Sequence, residues 1–388
     1  MFVGAVTGTN GKTSTVEFAR QLMSSNAHSA ASLGTLGLTG PRGQTTEPQL
    51  VPGSGAIPTV IDDLVPQGVR SLFIEAYSSA LQMQLLDETF VRAGAFTNLS
   101  SDHLDVHGSM DRYYRAKRRL FEDVVATGGT AVLNADTPQF NDLSARCYAR
   151  GIDVISFGRS PTCDLRLVAL HPELRASHRA TADFSFFGRR FSAQLSFAAE
   201  FMAANALCAA GLAMSAGIDE SAAADGLGQL TAPDGRMQWI ADHAGAPVLV
   251  DYAHTPHALG AALRALRPFT PRRIVLVFGC GGDRDAGKRA SMGEVAAAYA
   301  DTVIVTDDNP RREPAADIRR AIIAAVPTAQ DIPDRSEAIG YALGVLQPGD
   351  ALLVAGKGHE RFQIVPGGRR AFTDRLVIQE RLRGLRIR

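Results

Sequence analysis

The chain opens on an apolar run at residues 2–6, which passes through a glycine-rich turn into residues 14–23, where apolar positions recur with a helical period. The order is strand, glycine turn, helix. Residues 71–76, 93–98 and 130–134 are further strand candidates separated by helical stretches, the alternation expected of a largely parallel α/β sheet. Strand-like runs at 165–170, 182–187 and 191–195 predict an antiparallel patch, and the Ala-rich residues 201–218 predict a buried helix. That stretch contains Asn205 and is only as long as a short membrane span, so it is read as core.

The turn-rich residues Thr231-Ala232-Pro233-Asp234-Gly235-Arg236 separate this helix from a new α/β alternation, which places a domain boundary between 1–234 and 235–388. Four apolar strands follow, at 247–250, 274–278, 302–306 and 351–355. Each runs into a polar cluster: Asp251-Tyr252-Ala253-His254, Gly281-Gly282-Asp283-Arg284, Asp307-Asp308-Asn309-Pro310-Arg311 and Gly356-Lys357-Gly358-His359-Glu360. Ligands of open α/β sheets bind beyond the carboxyl ends of the strands, so the four clusters predict one site at one sheet edge. The expected fold class is α/β: a P-loop-type first domain with a mostly parallel sheet, then a Rossmann-like second domain.

With 388 residues, 45% of them hydrophobic and 21% charged, the chain can build two or three domains with cores of their own. Forty basic and forty acidic residues give zero net charge, so no overall field draws it to nucleic acid or an anionic membrane. Cys147, Cys163, Cys208 and Cys280 lack CxxC spacing, which suits a reducing compartment rather than a zinc site or disulfide framework. The start has no signal-peptide pattern, and a cytoplasmic enzyme is expected.

The strongest chemical signal is Gly8-Thr9-Asn10-Gly11-Lys12-Thr13. A turn of small residues before a helix lets backbone N–H groups surround a phosphate, while Lys12 neutralises charge and Thr13 can ligate magnesium. The first glycine lies closer to Gly11 than in the strict P-loop spacing, where Val6 stands. A second constellation comprises Glu75 at a strand end, Ser101-Asp102-His103-Leu104-Asp105 after another, and Lys117 in a helical stretch at 111–121. Carboxylate and imidazole suit a magnesium site that includes phosphate oxygens. An Asp-His pair before a helix is also a cap with a surface histidine, and a helical lysine is also a solvated side chain.

Together these stretches resemble the Mur ligase family, ATP-dependent enzymes that add amino acids to peptidoglycan precursors, and within it the branch of UDP-N-acetylmuramoyl-dipeptide:2,6-diaminopimelate ligases. The resemblance runs in order through residues 8–13, 97–109, 251–256, 281–285, 308–311 and 356–360. It implies that ATP phosphorylates a carboxylate and that an amine attacks the acyl phosphate, giving an amide, ADP and phosphate. It assigns Lys12 to the phosphates, Thr13 to one Mg2+, and Glu75 with His103 to another. Lys117 matches a lysine that the family carbamylates beside the second metal. Asn205 and Arg236 would face the nucleotide from the central domain and Asp251 from the last one, with domain closure near 233–235. Arg311 would pair with the distal carboxylate of diaminopimelate, Asp308 and Asn309 sharing its motif, while Arg284, Gly356 and Glu360 would contact that amino acid. A polar turn with surface arginines is the other reading of 308–311.

The departures lie on the acyl-donor side. The phosphate turn is reached by residue 8, which implies that the family's uridine-binding first domain is lacking. The family segment EVSSHAL reads Glu75-Ala76-Tyr77-Ser78-Ser79-Ala80-Leu81 here, with Ser78 kept, Ser79 in place of histidine, and Leu85 where the branch has a substrate-binding arginine. Thr45 and Thr46 keep the donor-side Thr pair. The expectation is a ligase joining a carboxylic acid not tethered to uridine diphosphate to a diaminopimelate-like amino acid, as in specialised metabolite assembly. The alternatives are a tripeptide ligase served by a separate uridine-binding chain, a folylpolyglutamate-synthetase-like ligase, and a silent nucleotide-binding scaffold.

Overall fold

The computed structural model describes residues 1–41, 43, 45–46, 56–173 and 179–386, which divide into two compact units. One is built from Met1–His171 with Arg179–Thr231, and the other chiefly from Ala232–Arg388. The strands of the first unit are β1 (Phe2–Thr7), β2 (Ala30–Gly34), β3 (Gly37–Thr39), β4 (Thr45–Thr46), β5 (Ser71–Glu75), β6 (Val91–Phe96), β7 (Val125–Asn134), β8 (Asp153–Gly158), β9 (Leu165–Pro172), β10 (Ala180–Phe186) and β11 (Arg189–Leu195). They form one sheet in the order β11-β10-β9-β8-β7-β6-β1-β5-β2-β3-β4.

β1 lies mid-sheet between β5 and β6, parallel to both. Its residues from Val3 on are all buried, which is why the run is apolar without alternation. The parallel block extends through β2, β7, β8 and β9, while β2–β3, β3–β4 and β10–β11 are antiparallel. The expected antiparallel patch is therefore joined to the parallel block through β9 rather than standing apart. Helix Glu200–Ser215 is buried along Met202, Ala203 and Asn205–Ala213 and packs against helix Lys12–Ser25. Apolar and small residues on nearly every side leave it almost no amphipathic stripe, as a largely buried helix requires. Helix Met110–Arg119 carries Lys117 and ends in a π-helical turn, Leu120–Val124, where the pattern predicted continuous α-helix.

The second unit contains β12 (Gln238–His243), β13 (Ala246–Asp251), β14 (Ile274–Phe278), β15 (Thr302–Val305), β16 (Gln330–Asp331) and β17 (Ala351–Ala355), ordered β12-β13-β17-β14-β15-β16. Only β12 runs antiparallel to its neighbour. A hairpin of β18 (Phe362–Val365) and β19 (Gly368–Ala371) precedes the last helix, Asp374–Arg386. The four predicted strands correspond to β13, β14, β15 and β17, adjacent in the sheet and mutually parallel, so the four polar clusters emerge at one edge. No helix among the described residues is long and apolar enough to cross a membrane.

Candidate functional site

In the first unit the site begins where β1 ends. Gly8 and Gly11 have φ of +150° and +90°. A Cβ on Gly8 would run into the Thr97 hydroxyl, and one on Gly11 into Asn205 Oδ1. The turn thus needs glycine for its backbone angles and for close approach. The Asn98 amide brackets the loop, accepting from Asn10 N at 2.9 Å and donating to Asn10 O at 3.1 Å, while Thr97 Oγ1 donates to Asn10 O at 2.6 Å. Thr9 N donates to Asn98 O at 2.9 Å. The turn is therefore held by the end of the neighbouring parallel strand β6.

Two lysines meet at this turn. Lys12 Nζ donates to Gly8 O at 2.9 Å and Thr9 O at 2.8 Å, and Lys117 Nζ donates to Gly8 O at 2.7 Å. Lys117 is 1% exposed and lies 4.2 Å from the centre of the Tyr113 ring. Burial, and next the neighbouring charge of Lys12, hold its amine well below the usual lysine range, with Asp102 opposing them. Tyr113 OH reaches Thr9 Oγ1 at 3.3 Å, and burial pushes its phenol above its ordinary value.

Thr13 Oγ1 donates to Glu75 Oε1 at 2.9 Å. Glu75 is 1% exposed and also accepts from Thr35 N at 2.7 Å and Thr35 Oγ1 at 3.1 Å. Its partner is thus the Thr13 hydroxyl, although the family match had given Thr13 and Glu75 to different metals. His103 stands at φ +53° with its ring Nε2 3.4 Å from Asp102 Oδ2, its side chain about half exposed. It lies on the wall of a cavity of about 250 Å³ shared with Lys12, Tyr77, Ser78, Ser79, Val106, His107, Tyr113 and Lys117. Within it Ser78 Oγ and His107 Nε2 lie 2.9 Å apart, both buried. Leu85 does not line the cavity. Thr45 and Thr46 form β4, but their side chains lie outside the described residues.

In the second unit Arg236 lies beside Asp251, not in the first unit with Asn205. Its guanidinium covers the Tyr252 ring at 4.5 Å and approaches His359 Nδ1 at 3.4 Å. Burial first, then the charges of Arg236 and Lys357, push His359 down to about 3. Asp251 is occupied by its own backbone, accepting from Met237 N at 2.6 Å and Ala253 N at 2.7 Å, and burial raises its pKa. The clusters after β15 and β17 interlock. Asn309 Nδ2 donates to Glu360 Oε2 at 2.7 Å, and Lys357 Nζ donates to that oxygen at 2.7 Å and to Asn309 Oδ1 at 3.0 Å. Asp308 is buried against Gly356, whose φ is +109° and whose Cβ, if present, would sit 2.8 Å from Asp308 Oδ2. Arg311, at φ +54°, donates from Nη1 to Gly282 O at 2.8 Å and to Asn309 O at 3.4 Å. Arg284 is exposed.

Sequence reasoning gave no role to His107, Tyr113, Tyr77, Thr35 or Lys357. Tyr113 stands four residues before Lys117 on one helix, a spacing that places them together. Thr35 comes from a separate strand connection and has no local signal.

Residues 6–213 match the model of the Mur ligase middle domain, and residues 235–358 that of the Mur ligase, glutamate ligase domain. The chain belongs to the Mur ligase family. Mur ligases similar to it include the UDP-N-acetylmuramoyl-L-alanyl-D-glutamate–2,6-diaminopimelate ligase of Bradyrhizobium diazoefficiens, 43% identical over 96% of this chain and 77% of the relative. The protein of the same name from Zymomonas mobilis is 42% identical over 94% of this chain and 75% of that one. A solved UDP-N-acetylmuramoyl-L-alanyl-D-glutamate–2,6-diaminopimelate ligase superposes with a TM-score of 0.71 at 31% identity, covering 100% of this chain and 79% of the other. Mycobacterium tuberculosis folylpolyglutamate synthase, complexed with ADP and AMPPCP, shares the fold at 16% identity with a TM-score of 0.70, covering 92% of this chain and 88% of that one. As a Mur ligase this chain is an ATP-dependent amide-forming enzyme, and the scaffold reading falls away.

Proposed function

We propose that this Mur ligase couples a carboxylate, activated as an acyl phosphate, to an amino group of diaminopimelate or an amino acid of the same chemistry. The observation that carries the first half is the cavity in which Lys12, Lys117, His103 and the Ser78–His107 pair surround one space beside the phosphate turn. Cations and donors there suit an anionic carboxylate and the charge that develops on a phosphoryl group in transfer. The donor oxygen attacks the γ-phosphorus and ADP leaves; the amine then attacks the acyl carbon, phosphate leaves, and the amine gives up a proton. Gly8–Thr13 hold the phosphates, with Asn205 against Gly11.

The Thr13–Glu75 pair fits Mg2+, because one hydroxyl and one carboxylate at a phosphate turn are the few protein oxygens that this ion takes alongside phosphates and water. Bound there, Mg2+ would draw charge from the phosphate oxygens. His103 is a further nitrogen donor on the same cavity. Burial holds the Lys117 amine well below the usual lysine range, which favours the neutral form that adds carbon dioxide with loss of one proton to give an anion that suits a metal.

The amine half rests on Arg311, Asn309 and Glu360, with Asp308, Gly356 and Arg284 around them: a guanidinium fork and a carboxylate match the distal carboxylate and ammonium of diaminopimelate. On the donor side, Ser79 and Leu85 stand where the family pattern has an imidazole and a guanidinium. This supports a free carboxylic acid as donor, with Thr45, Thr46 and Ser78 on its side of the site. The second reading takes the uridine-linked dipeptide in the name of the 43%-identical relative, delivered with or without a separate donor-binding chain. ADP release and product mass with ATP, Mg2+, meso-diaminopimelate and either UDP-N-acetylmuramoyl-L-alanyl-D-glutamate or a panel of free acids decide between them. Turnover of the uridine-linked donor alone overturns the first.

A further inference from the structure

Lys357 is a buried cation within the amino-acid cluster, with 0% of its side chain exposed. An ammonium has three donors, and here all three are taken: by Asn309 Oδ1 at 3.0 Å, Glu360 Oε2 at 2.7 Å and the Phe362 carbonyl at 2.8 Å. It has none left for a ligand. The acceptors are Asn309, 48 positions away at the end of β15, and Glu360 and Phe362 in the lysine's own loop and the start of hairpin strand β18, so this one group ties the loop after β17 to the loop after β15.

The same bonds orient their partners. Asn309 Oδ1 receives Lys357 and also Ile364 N at 2.8 Å, so its amide nitrogen must face Glu360. Glu360 Oε2 therefore takes two donors, and among the described residues no hydrogen bond to Oε1 is found. A carboxylate with one oxygen saturated and the other open, on a residue still partly exposed, accepts one further strong donor at a defined place.

We propose that Lys357 is a positioning residue which holds Glu360 and Asn309 so that Glu360 Oε1 reads the distal ammonium of the incoming amino acid. The proposal rests on the diaminopimelate reading above and adds the device behind the selectivity. Amino acids that carry the distal carboxylate but lack the distal amine, such as 2-aminopimelate, gain nothing from this device. Lys357 thus governs preference between the two rather than affinity for amino acids in general.

The test uses the full chain with ATP, Mg2+ and UDP-N-acetylmuramoyl-L-alanyl-D-glutamate as donor probe, comparing meso-diaminopimelate with 2-aminopimelate. Where that donor is not turned over, calorimetric titration of each amino acid in the presence of ADP replaces KM by Kd. Lys357→Met and the milder Lys357→Gln should raise KM for meso-diaminopimelate about tenfold or more. KM for 2-aminopimelate, KM for ATP and kcat should stay within about twofold. Glu360→Gln should lower the preference similarly, and Lys357→Met with Glu360→Gln should lower it no further. Variants that keep the wild-type preference, that weaken both amino acids equally, or that both fail to fold overturn the role of Lys357. A wild type with no preference for meso-diaminopimelate overturns instead the amino-acid reading on which it rests.

Discussion

Arg335 and Asp374 offer a direct measure of what holds the second unit together. Both side chains are 0% exposed, and the guanidinium grips the carboxylate through Nε at 2.7 Å and Nη2 at 2.9 Å. Nη2 also donates to Ala355 O at 2.9 Å, the last carbonyl of β17 before the Gly356–Glu360 cluster. The pair joins the start of helix Arg335–Val345, the start of the last helix and the rim of the amino-acid site. Arg335→Met keeps much of the side-chain volume but leaves a buried carboxylate without its cation. Breaking such a pair costs about 3–5 kcal/mol, most of it the penalty on the stranded charge. For a unit of this size each kcal/mol moves Tm by about 2–4 °C, so a drop of roughly 6–20 °C is expected. The assay is urea and thermal unfolding followed by tryptophan fluorescence. The sole tryptophan, Trp239, lies on β12, against which the last helix packs, so the signal reports this unit. Replacing both partners, Arg335→Met with Asp374→Leu, should recover most of the loss because no charge is left buried. A single variant within about 1 kcal/mol of wild type, or a double variant whose cost is the sum of the singles, would refute the reasoning.

Other outcomes follow from the same contacts. Lys117→Met should abolish ADP release. Because the folded chain holds Lys117 below the ordinary value of 10.5, the unfolded chain binds its proton first as pH falls, so the wild type loses stability from pH 10.5 downward and the variant does not. Urea midpoints measured across that range should therefore shift in the variant's favour as pH is lowered. Thr13→Ala should slow turnover about a hundredfold and raise the Mg2+ concentration needed for half-maximal rate; an unchanged Mg2+ dependence counts against the Thr13–Glu75 site. His359 is neutral in the fold down to about pH 3 but takes a proton near 6.5 when unfolded, so stability should fall as pH drops from 6.5 towards 3. His359→Gln should flatten that stretch of the Trp239 unfolding profile.

How much of this was legible in the chain differs from element to element. The run into Gly8–Thr13 announced a phosphate turn because its parts are consecutive: an apolar strand, glycines where φ is positive, and a helix. The four strand-end clusters of the second unit were legible for the same local reason, since a parallel sheet brings the carboxyl ends of its strands to one edge. Partnerships were not legible. Glu75 was expected with His103, yet it meets the Thr13 hydroxyl and Thr35, because β1, β2 and β5 are neighbours in the sheet while 62 positions separate Glu75 from Thr13. Arg236, read with the first domain, stacks on Tyr252.

Hydrophobic period and turn chemistry by themselves point to the α/β alternation and the phosphate turn, and short motif stretches carry the family resemblance, because each is written in residues a few positions apart. The tertiary structure alone decided which hydroxyls the Glu75 carboxylate meets, which lysine at the phosphate turn is buried, and that Lys357 ties its own loop to Asn309. Those outcomes depend on burial and on strand order. Both are set when segments pack, where burial pulls the Lys117 amine below the usual lysine range and three acceptors make Lys357 a structural bridge.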